Sequence, residues 1–333
     1  MRTSGPYRQR NLLFSQKGAA VVDIRDIEAA AERIGGHVLR TPTLPSPGLS
    51  ALLGVPVTAK LELLQLGGSF KVRGAAAKLL TLTDDERAAG VVTVSGGNHA
   101  IAVALMAESL KVHATVVMPK AAPARSIEVT RAAGADVRLT DDIAAAFTLM
   151  DELQQGGLTL VHPFADPVVL AGQGTVGLEM SEDAGELTDV LVSIGGGALI
   201  SGVAVALQAR RPGIRLWGVE TEGARSMTDA LAAGGPVPTK LSSIVTTLCV
   251  PVVSQLAYDH VSTLVTDVLA VSDSEAVQGT VELAEHAKVW AEPAAGCLLP
   301  AARRVLDKVG PDARLGLVLC GGNVSFRDIA SWS

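Results

Sequence analysis

The sequence predicts an α/β fold built on mostly parallel sheets, and two observations carry that prediction. Short runs of aliphatic and β-branched residues alternate with Ala-rich runs of helical period, the pattern of consecutive βαβ units. Several strand-like runs end in Gly-rich turns, SGGN at 95–98, IGGG at 194–197 and CGGN at 320–323, and in parallel α/β sheets ligands collect at such strand ends. With 333 residues, 48% hydrophobic and 19% charged, the chain can bury a sizeable core as one large domain or two modest ones.

The elements follow in order. A first helix starts near Asp23 or Asp26, because Ile24, Ile27, Ala31 and Ile34 recur at helical spacing and Gly35-Gly36 stops the run. The stretch TPTLPSPGLS (41–50) reads as a Pro-broken connection. Strands are expected at Val57–Leu61, Val91–Val94, Ala114–Val117, Asp136–Leu139, Thr159–Val161, Val190–Ile194, Leu216–Val219 and Leu315–Leu319. Helical runs at Gly74–Leu80, His99–Glu108, Ile143–Gln155 and Val169–Glu182 lie between them.

Composition narrows the function. The net charge is −6 and no basic tract stands out, which argues against a nucleic-acid partner. Aromatic residues are only 3%, too few for base-stacking platforms. No charge-free apolar run reaches membrane-spanning length. Cys249, Cys297 and Cys320 form neither a disulfide framework nor a zinc site, and a reducing cytoplasm is the simplest compartment. Residues 1–22 carry Arg2, Arg8, Arg10 and Lys17 without an acid. That composition is transit-peptide-like but lacks an apolar face, so a disordered tail or over-extended start is the plainer reading.

Four segments carry chemistry. Lys71 follows a Gly-Gly-Ser-Phe loop and precedes a helix. The positive end of a helix disfavours a lysine's charge and suits it to Schiff-base chemistry, although a surface lysine at a helix start fits the spacing as well. In VVTVSGGNHA (91–100) the turn after the strand offers free backbone N–H groups to an anion. Ser95 and Asn98 add polar groups there, and His99 is as well explained by packing. Strand, Gly195-Gly196-Gly197, then helix makes a phosphate cradle. The run is neither GxGxxG with a ribose-binding acid nor GxxxxGK[ST], so a dinucleotide site and nucleotide hydrolysis lack support. Cys320 ends the last strand, and a buried small residue is its plain reading.

Taken together, SFKVRGA, SGGNHA, LAGQGTVGLE (170–179), SIGGGALISG (193–202), WAEPAAG (290–296) and CGGN resemble, in order, the motifs of the pyridoxal-phosphate (PLP) enzymes of fold type II, the tryptophan-synthase β fold. Within them the chain resembles the serine/threonine ammonia-lyases (dehydratases), from about Ile24 to Ile329. The related β-replacement enzymes usually read SVKDR and TSGNTG. The resemblance implies two domains, each a mostly parallel twisted sheet flanked by helices: a large PLP-binding domain from 23–60 and 160–333, and a small one from 61–159.

It also implies roles. Lys71 would condense with the cofactor aldehyde and later act as acid and base at the substrate Cα. Phe70 would flank the pyridine ring and Asn98 would hydrogen-bond the phenolic oxygen. Gly195, Gly196, Gly197, Ala198 and Leu199 would wrap the phosphate. Cys320 would face the pyridine nitrogen, where a weak thiol partner suits β-elimination. Ser95, Gly97, Asn98 and His99 would hold the substrate carboxylate. A cation site would use Glu220 with backbone oxygens of Gly195, Ala224, Leu248 and Val250. Divalent versions carry an Asp where this chain has Ser226, which favours potassium. The implied reaction is loss of water and ammonia from a β-hydroxy amino acid such as L-threonine or L-serine, in a cytoplasmic homodimer.

Departures matter too. Gly67 replaces the Thr of QPTGSFK, and Gly96 replaces the second residue of SSGNH. Serine racemases need a serine at the latter position, so racemisation is not expected as the main activity. Two small residues near the substrate would leave room for phenylserine or 3-hydroxyaspartate. Ala198 replaces the fourth glycine of the phosphate loop, and Gly296 falls one place later than in EPAGA. Ten residues follow Asn323, so isoleucine feedback through an appended regulatory domain is not expected. β-Replacement on the same scaffold is a second reading. A non-catalytic cofactor-binding relative is a third, disfavoured because Lys71, Asn98 and the glycine loop are all retained.

Overall fold

In the computed structural model, which describes residues 21–332, β-branched runs and capped helices alternate as the sequence periodicity predicts. The strands are β1 (Thr43–Pro45), β2 (Val57–Leu61), β3 (Val91–Val94), β4 (Ala114–Pro119), β5 (Asp136–Thr140), β6 (Thr159–Leu160), β7 (Asp189–Ser193), β8 (Arg215–Thr221), β9 (Asp267–Val271) and β10 (Leu315–Leu319). They form a six-stranded sheet in the order β1-β2-β10-β7-β8-β9 and a four-stranded sheet in the order β5-β4-β3-β6. Every pairing is parallel except β1 with β2. Strands β3, β7 and β10 are buried along their whole length, which is why they read as mostly apolar runs rather than alternating ones.

The smaller sheet runs from Val91 to Leu160, so Leu160 pairs there, one residue past the expected end of the small domain at 159. The segment 41–50 is more ordered than its prolines suggest. Thr43–Pro45 adds an antiparallel edge strand, and Pro47 opens a helix, Pro47–Leu53, at a position where its missing N–H costs nothing. Strand β9, a partly exposed edge, was not expected from the sequence, although residues 268–271 form an apolar run like those of the other strands. Residues 1–20, most of the expected tail, lie outside the described residues. Val22 is already buried, and its carbonyl contacts His260 Nε2 at 3.1 Å.

The first helix, Ile24–Ile34, has a capping box from Asp23 and Asp26 and buries Ile27, Ala30 and Ile34. The helix that begins with Lys71, Lys71–Leu79, packs backbone to backbone on the long helix Pro167–Asp183. A Cβ on Gly172 would stand 2.8 Å from the Arg73 carbonyl oxygen and 2.9 Å from Gly74 Cα, so only glycine permits this approach.

A buried ionic cluster also ties this helix to its neighbours. The Arg73 guanidinium binds Glu62 through Nε and Nη2, both at 2.8 Å. It binds Glu179 through Nη1 at 2.7 Å and Nη2 at 2.9 Å. Lys60 completes the balance by pairing with Glu179 and donating to the Thr41 carbonyl. Arg73, Glu62 and Lys60 are fully buried. Two cations face two carboxylates, so the cluster is neutral and its charges are compensated by geometry rather than by water. Removing one member strands the others. Arg73→Met is expected to cost about 3–5 kcal/mol of unfolding free energy, read by urea titration; a loss under ~1 kcal/mol would show that the carboxylates find other partners.

Candidate active site

The loop that delivers Lys71 is built from β2 onward. The Gln65 side chain bridges to Leu39, accepting its N–H at 2.9 Å and donating to its carbonyl at 2.7 Å. Gly67 and Gly68 then turn the chain through positive φ. The loop pairs with the end of β10: Phe70 N–H donates to Cys320 O at 3.1 Å, and Gly322 N–H donates to Gly68 O at 2.9 Å. Lys71 Nζ donates to Pro163 O at 3.0 Å and lies 5.2 Å from the Phe70 ring centre. Loss of water around the amine pushes its pKa down to about 8, with the Glu292 carboxylate partly opposing the shift. An amine so placed is charged at neutral pH yet easily released as a nucleophile.

Across from it, β7 ends in Ile194-Gly195-Gly196-Gly197, and the helix Ala198–Arg210 begins without a side-chain cap. The backbone N–H groups of its first turn are the unpaired donors of a helix N-terminus. Gly197 has φ +85°, and a Cβ on Gly196 would lie 2.2 Å from Phe164 Cγ. The segment Pro163-Phe164 therefore touches both Lys71 and the glycine loop. The turn Thr246–Leu248 is a second bridge. A Cβ on Gly195 would stand 3.2 Å from Thr247 O, and one on Gly97 would stand 3.9 Å from Thr247 Cγ2.

Asn98 opens the helix Asn98–Leu110, also without a side-chain cap. Its Nδ2 donates to both carboxylate oxygens of Glu292, at 2.9 and 3.1 Å. Its Oδ1 accepts from Asn323 Nδ2 at 2.8 Å, which also donates to Gly67 O at 2.7 Å. Burial raises the Glu292 pKa, and the Asn98 amide draws it partly back. Cys320 is buried, burial pushes its thiol up to about 12, and it accepts a weak hydrogen bond from Ser193 Oγ at 3.5 Å. It stays a neutral thiol.

His99 is buried with Nε2 3.0 Å from Val161 O and Nδ1 without a partner. Burial drives its pKa down to about 3, so the ring is neutral and Nε2 carries the proton for the carbonyl. Any help from His99 to an anion at this helix start comes from its backbone N–H. Ser95 Oγ accepts from Gly97 N–H at 3.2 Å.

Glu220 is fully buried at the end of β8. It accepts from Met227 N–H at 2.8 Å, Thr228 N–H at 3.0 Å and Thr228 Oγ1 at 2.7 Å. Burial still raises its pKa to about 7. Leu248 touches Gly195, the Val250 carbonyl accepts from the Ser226 hydroxyl, and Ala224 N–H donates to Thr221 O at 2.8 Å.

The two small-residue departures have close neighbours. A Cβ on Gly67 would lie 2.9 Å from Leu105 Cδ1 and 3.2 Å from Ile101 Cγ2; one on Gly96 would lie 3.2 Å from Ala122 Cβ. Side chains of the helix Asn98–Leu110 therefore stand close to Gly67, and Ala122 stands beside Gly96.

A family model described as "Pyridoxal-phosphate dependent enzyme" matches residues 34–321. The chain belongs to this family. It is 37% identical over 315 residues to an L-threonine ammonia-lyase from Thermotoga maritima, covering 93% of this chain and 77% of that one. It is 35% identical over 320 residues to a catabolic L-threonine dehydratase (TdcB) from Staphylococcus aureus, covering 94% and 92%. Among solved structures, maize serine racemase superposes with a TM-score of 0.89 at 34% identity, covering 94% of this chain and 97% of that chain. The fold is that of the type II PLP enzymes.

The residues present fit the cofactor. The glycine loop and the uncapped helix behind it suit a phosphate dianion, Lys71 suits an aldehyde, and the neutral Cys320 thiol suits a pyridine nitrogen. Sequence reasoning passed over Pro163, Thr247 and Glu292 as site residues. Glu292 alone left a signal, a single carboxylate in the otherwise apolar stretch 289–302.

Two outcomes follow. In cofactor-free protein, acylation of Lys71 by acetic anhydride, read by peptide mass spectrometry, is expected to reach half its maximum near pH 8, against 10.5 for an ordinary lysine; a midpoint near the ordinary value would refute the desolvated site. Gly196→Ala drives a methyl into Phe164 and is expected to weaken PLP binding at least roughly tenfold, measured by fluorescence titration, with the circular dichroism of the fold retained.

Proposed function

We propose that this protein is a PLP-dependent ammonia-lyase that dehydrates L-threonine or L-serine to a 2-oxo acid and ammonia. One observation carries the reading. Lys71, with its amine depressed to about 8, stands beside a segment that packs on a glycine phosphate cradle, in a chain 35–37% identical to proteins named for threonine deamination.

When bound, PLP supplies the electron sink that makes the substrate Cα–H acidic. The chain supplies the rest. The uncapped start of the Asn98–Leu110 helix, with Ser95 and the backbone of Gly97, Asn98 and His99, receives the substrate carboxylate. The Lys71 amine would take the Cα proton. Asn98, oriented by Glu292 and Asn323, would present its amide to the cofactor's phenolic oxygen. Phe70 would flank the ring, and Gly195 to Leu199 would hold the phosphate. The Cys320 thiol would face the pyridine nitrogen as a weak partner, which suits loss of the β-hydroxyl. Gly96 has no side chain to deliver a proton on the opposite face, so racemisation, for which the maize relative is named, is disfavoured.

We further propose potassium beside the phosphate loop, with Glu220 and carbonyls of Gly195, Ala224, Leu248 and Val250 as its ligands. The support is a buried carboxylate whose burial outweighs its three hydrogen-bond donors. A homodimer in a reducing cytoplasm completes the reading. It is supported by the resemblance and by three free thiols among the described residues; also among them, no helix is long and apolar enough to cross a membrane.

The purified protein is expected to show a visible absorption band and to release 2-oxobutyrate from L-threonine or pyruvate from L-serine. Lys71→Ala is expected to lose the band and at least roughly a thousandfold in kcat. A coloured protein inactive on both amino acids would sink the substrate assignment, and thioether formation with an added thiol would move it to β-replacement. Potassium at pH 7 is expected to raise Tm in the parent and not in Glu220→Gln. Equal shifts in both proteins would remove the cation site.

A further inference from the structure

The neighbourhood of Pro163 contains an arrangement that the reaction above does not use. The peptide unit joining Pro163 to Phe164 has its two polar groups committed in opposite directions. Its carbonyl oxygen accepts from Lys71 Nζ at 3.0 Å. Its N–H donates to His162 Nδ1 at 3.2 Å, and the next N–H, of Ala165, donates to the same nitrogen at 2.8 Å. One imidazole nitrogen thus gathers the N–H groups two and three residues ahead, as an Asn or Asp oxygen does in an Asx turn. A peptide is planar, so fixing its N–H fixes where its C=O points.

The turn is braced on both sides. The His162 and Phe164 rings meet edge to face, 4.7 Å apart at 87°. The Phe164 ring occupies the space that a Cβ on Gly196 would need. Burial pushes the His162 pKa down to about 4, so Nδ1 remains an acceptor throughout the neutral range.

We propose that His162 is a positioning residue for Lys71: through Nδ1 it orients the Pro163 carbonyl, which holds the lysine amine in the place and direction from which it works. This rests on Lys71 being the cofactor-binding acid and base. A carbonyl acceptor stabilises the ammonium form more than the free amine. Freeing the peptide to rotate should therefore lower the Lys71 pKa further and blur the amine's aim. His162 is neutral, so its replacement changes no charge near Lys71. The other ionisable groups acting on Lys71 or sensing it, Cys320, Glu292 and His99, are untouched.

The test compares His162→Ala, His162→Asn and His162→Gln in the full chain. Asn places its oxygen where Nδ1 is and can rebuild the turn; Gln reaches instead to the position of Nε2. Two readouts are taken. One is the pH midpoint of Lys71 acylation in cofactor-free protein. The other is kcat and KM of the PLP-loaded enzyme. The Ala and Gln variants are expected to show a lower Lys71 midpoint and a kcat down roughly tenfold or more with KM within about threefold. Asn is expected to restore both. Gln rescuing better than Asn, or a parent-like Lys71 midpoint in a folded Ala variant, would overturn the proposal. If the Ala variant does not fold, the Asn-against-Gln ranking decides alone. Failure of the parent to bind PLP at Lys71 would instead count against the proposed function, because the acylation midpoint is read without cofactor or substrate.

Discussion

Two backbone hydrogen bonds, Phe70 N–H to Cys320 O and Gly322 N–H to Gly68 O, join segments about 250 residues apart in sequence, and the site depends on them. They form an isolated antiparallel bridge of Ser69 with Gly321, beyond the parallel β2–β10 pairing that ends at Leu61 opposite Leu319. Backbone groups at this depth need partners, and each loop supplies those of the other. The lysine loop is thereby seated on the end of the central strand. Asn323 extends the seam by donating to Gly67 O and Asn98 Oδ1, tying in the helix that follows the smaller sheet's β3.

Burial dominates the electrostatics of everything gathered around that seam. It lowers Lys71, His99 and His162 and raises Cys320, Glu220 and Glu292. Each shift favours the neutral form, as low dielectric requires. The site holds its nucleophile near the threshold of release and its histidines and thiol uncharged. The opposite solution appears only a few residues away. Arg73, Glu62, Glu179 and Lys60 are paired ions, with the guanidinium forked to both carboxylates. Arg73 shares its helix with Lys71, so one face of that helix is clamped by compensated charge while its first residue faces the uncharged site.

Much of this was legible in the chain. Val57–Leu61 and Leu315–Leu319 are strands at the bounds read from the sequence; the second is buried along its length and reads as a continuous run without a charged residue. Ile143–Gln155 is a helix at its predicted bounds. Lys71, the SGGN turn and the three glycines stood out because they occur together and in order with the other motifs; each Gly-rich turn alone is a weak signal that close packing also explains. The edge strand Thr43–Pro45 did not stand out, since three half-exposed residues carry neither a period nor an apolar run, and Asp267–Val271 was missed although residues 268–271 are apolar.

The sequence by itself determined the alternation of strands and helices, the glycines at their junctions and the lysine that follows one of them, all local properties of neighbouring residues. Only the tertiary structure decided which junctions meet. It set Pro163 O against Lys71 and Phe164 against Gly196, turned the His99 ring toward Val161, and filled the space beside Gly67 with Leu105 and Ile101. Those outcomes depend on strand order and on packing between residues far apart in the chain. No local pattern encodes that information, because the same turn can face many neighbours until the sheets assemble.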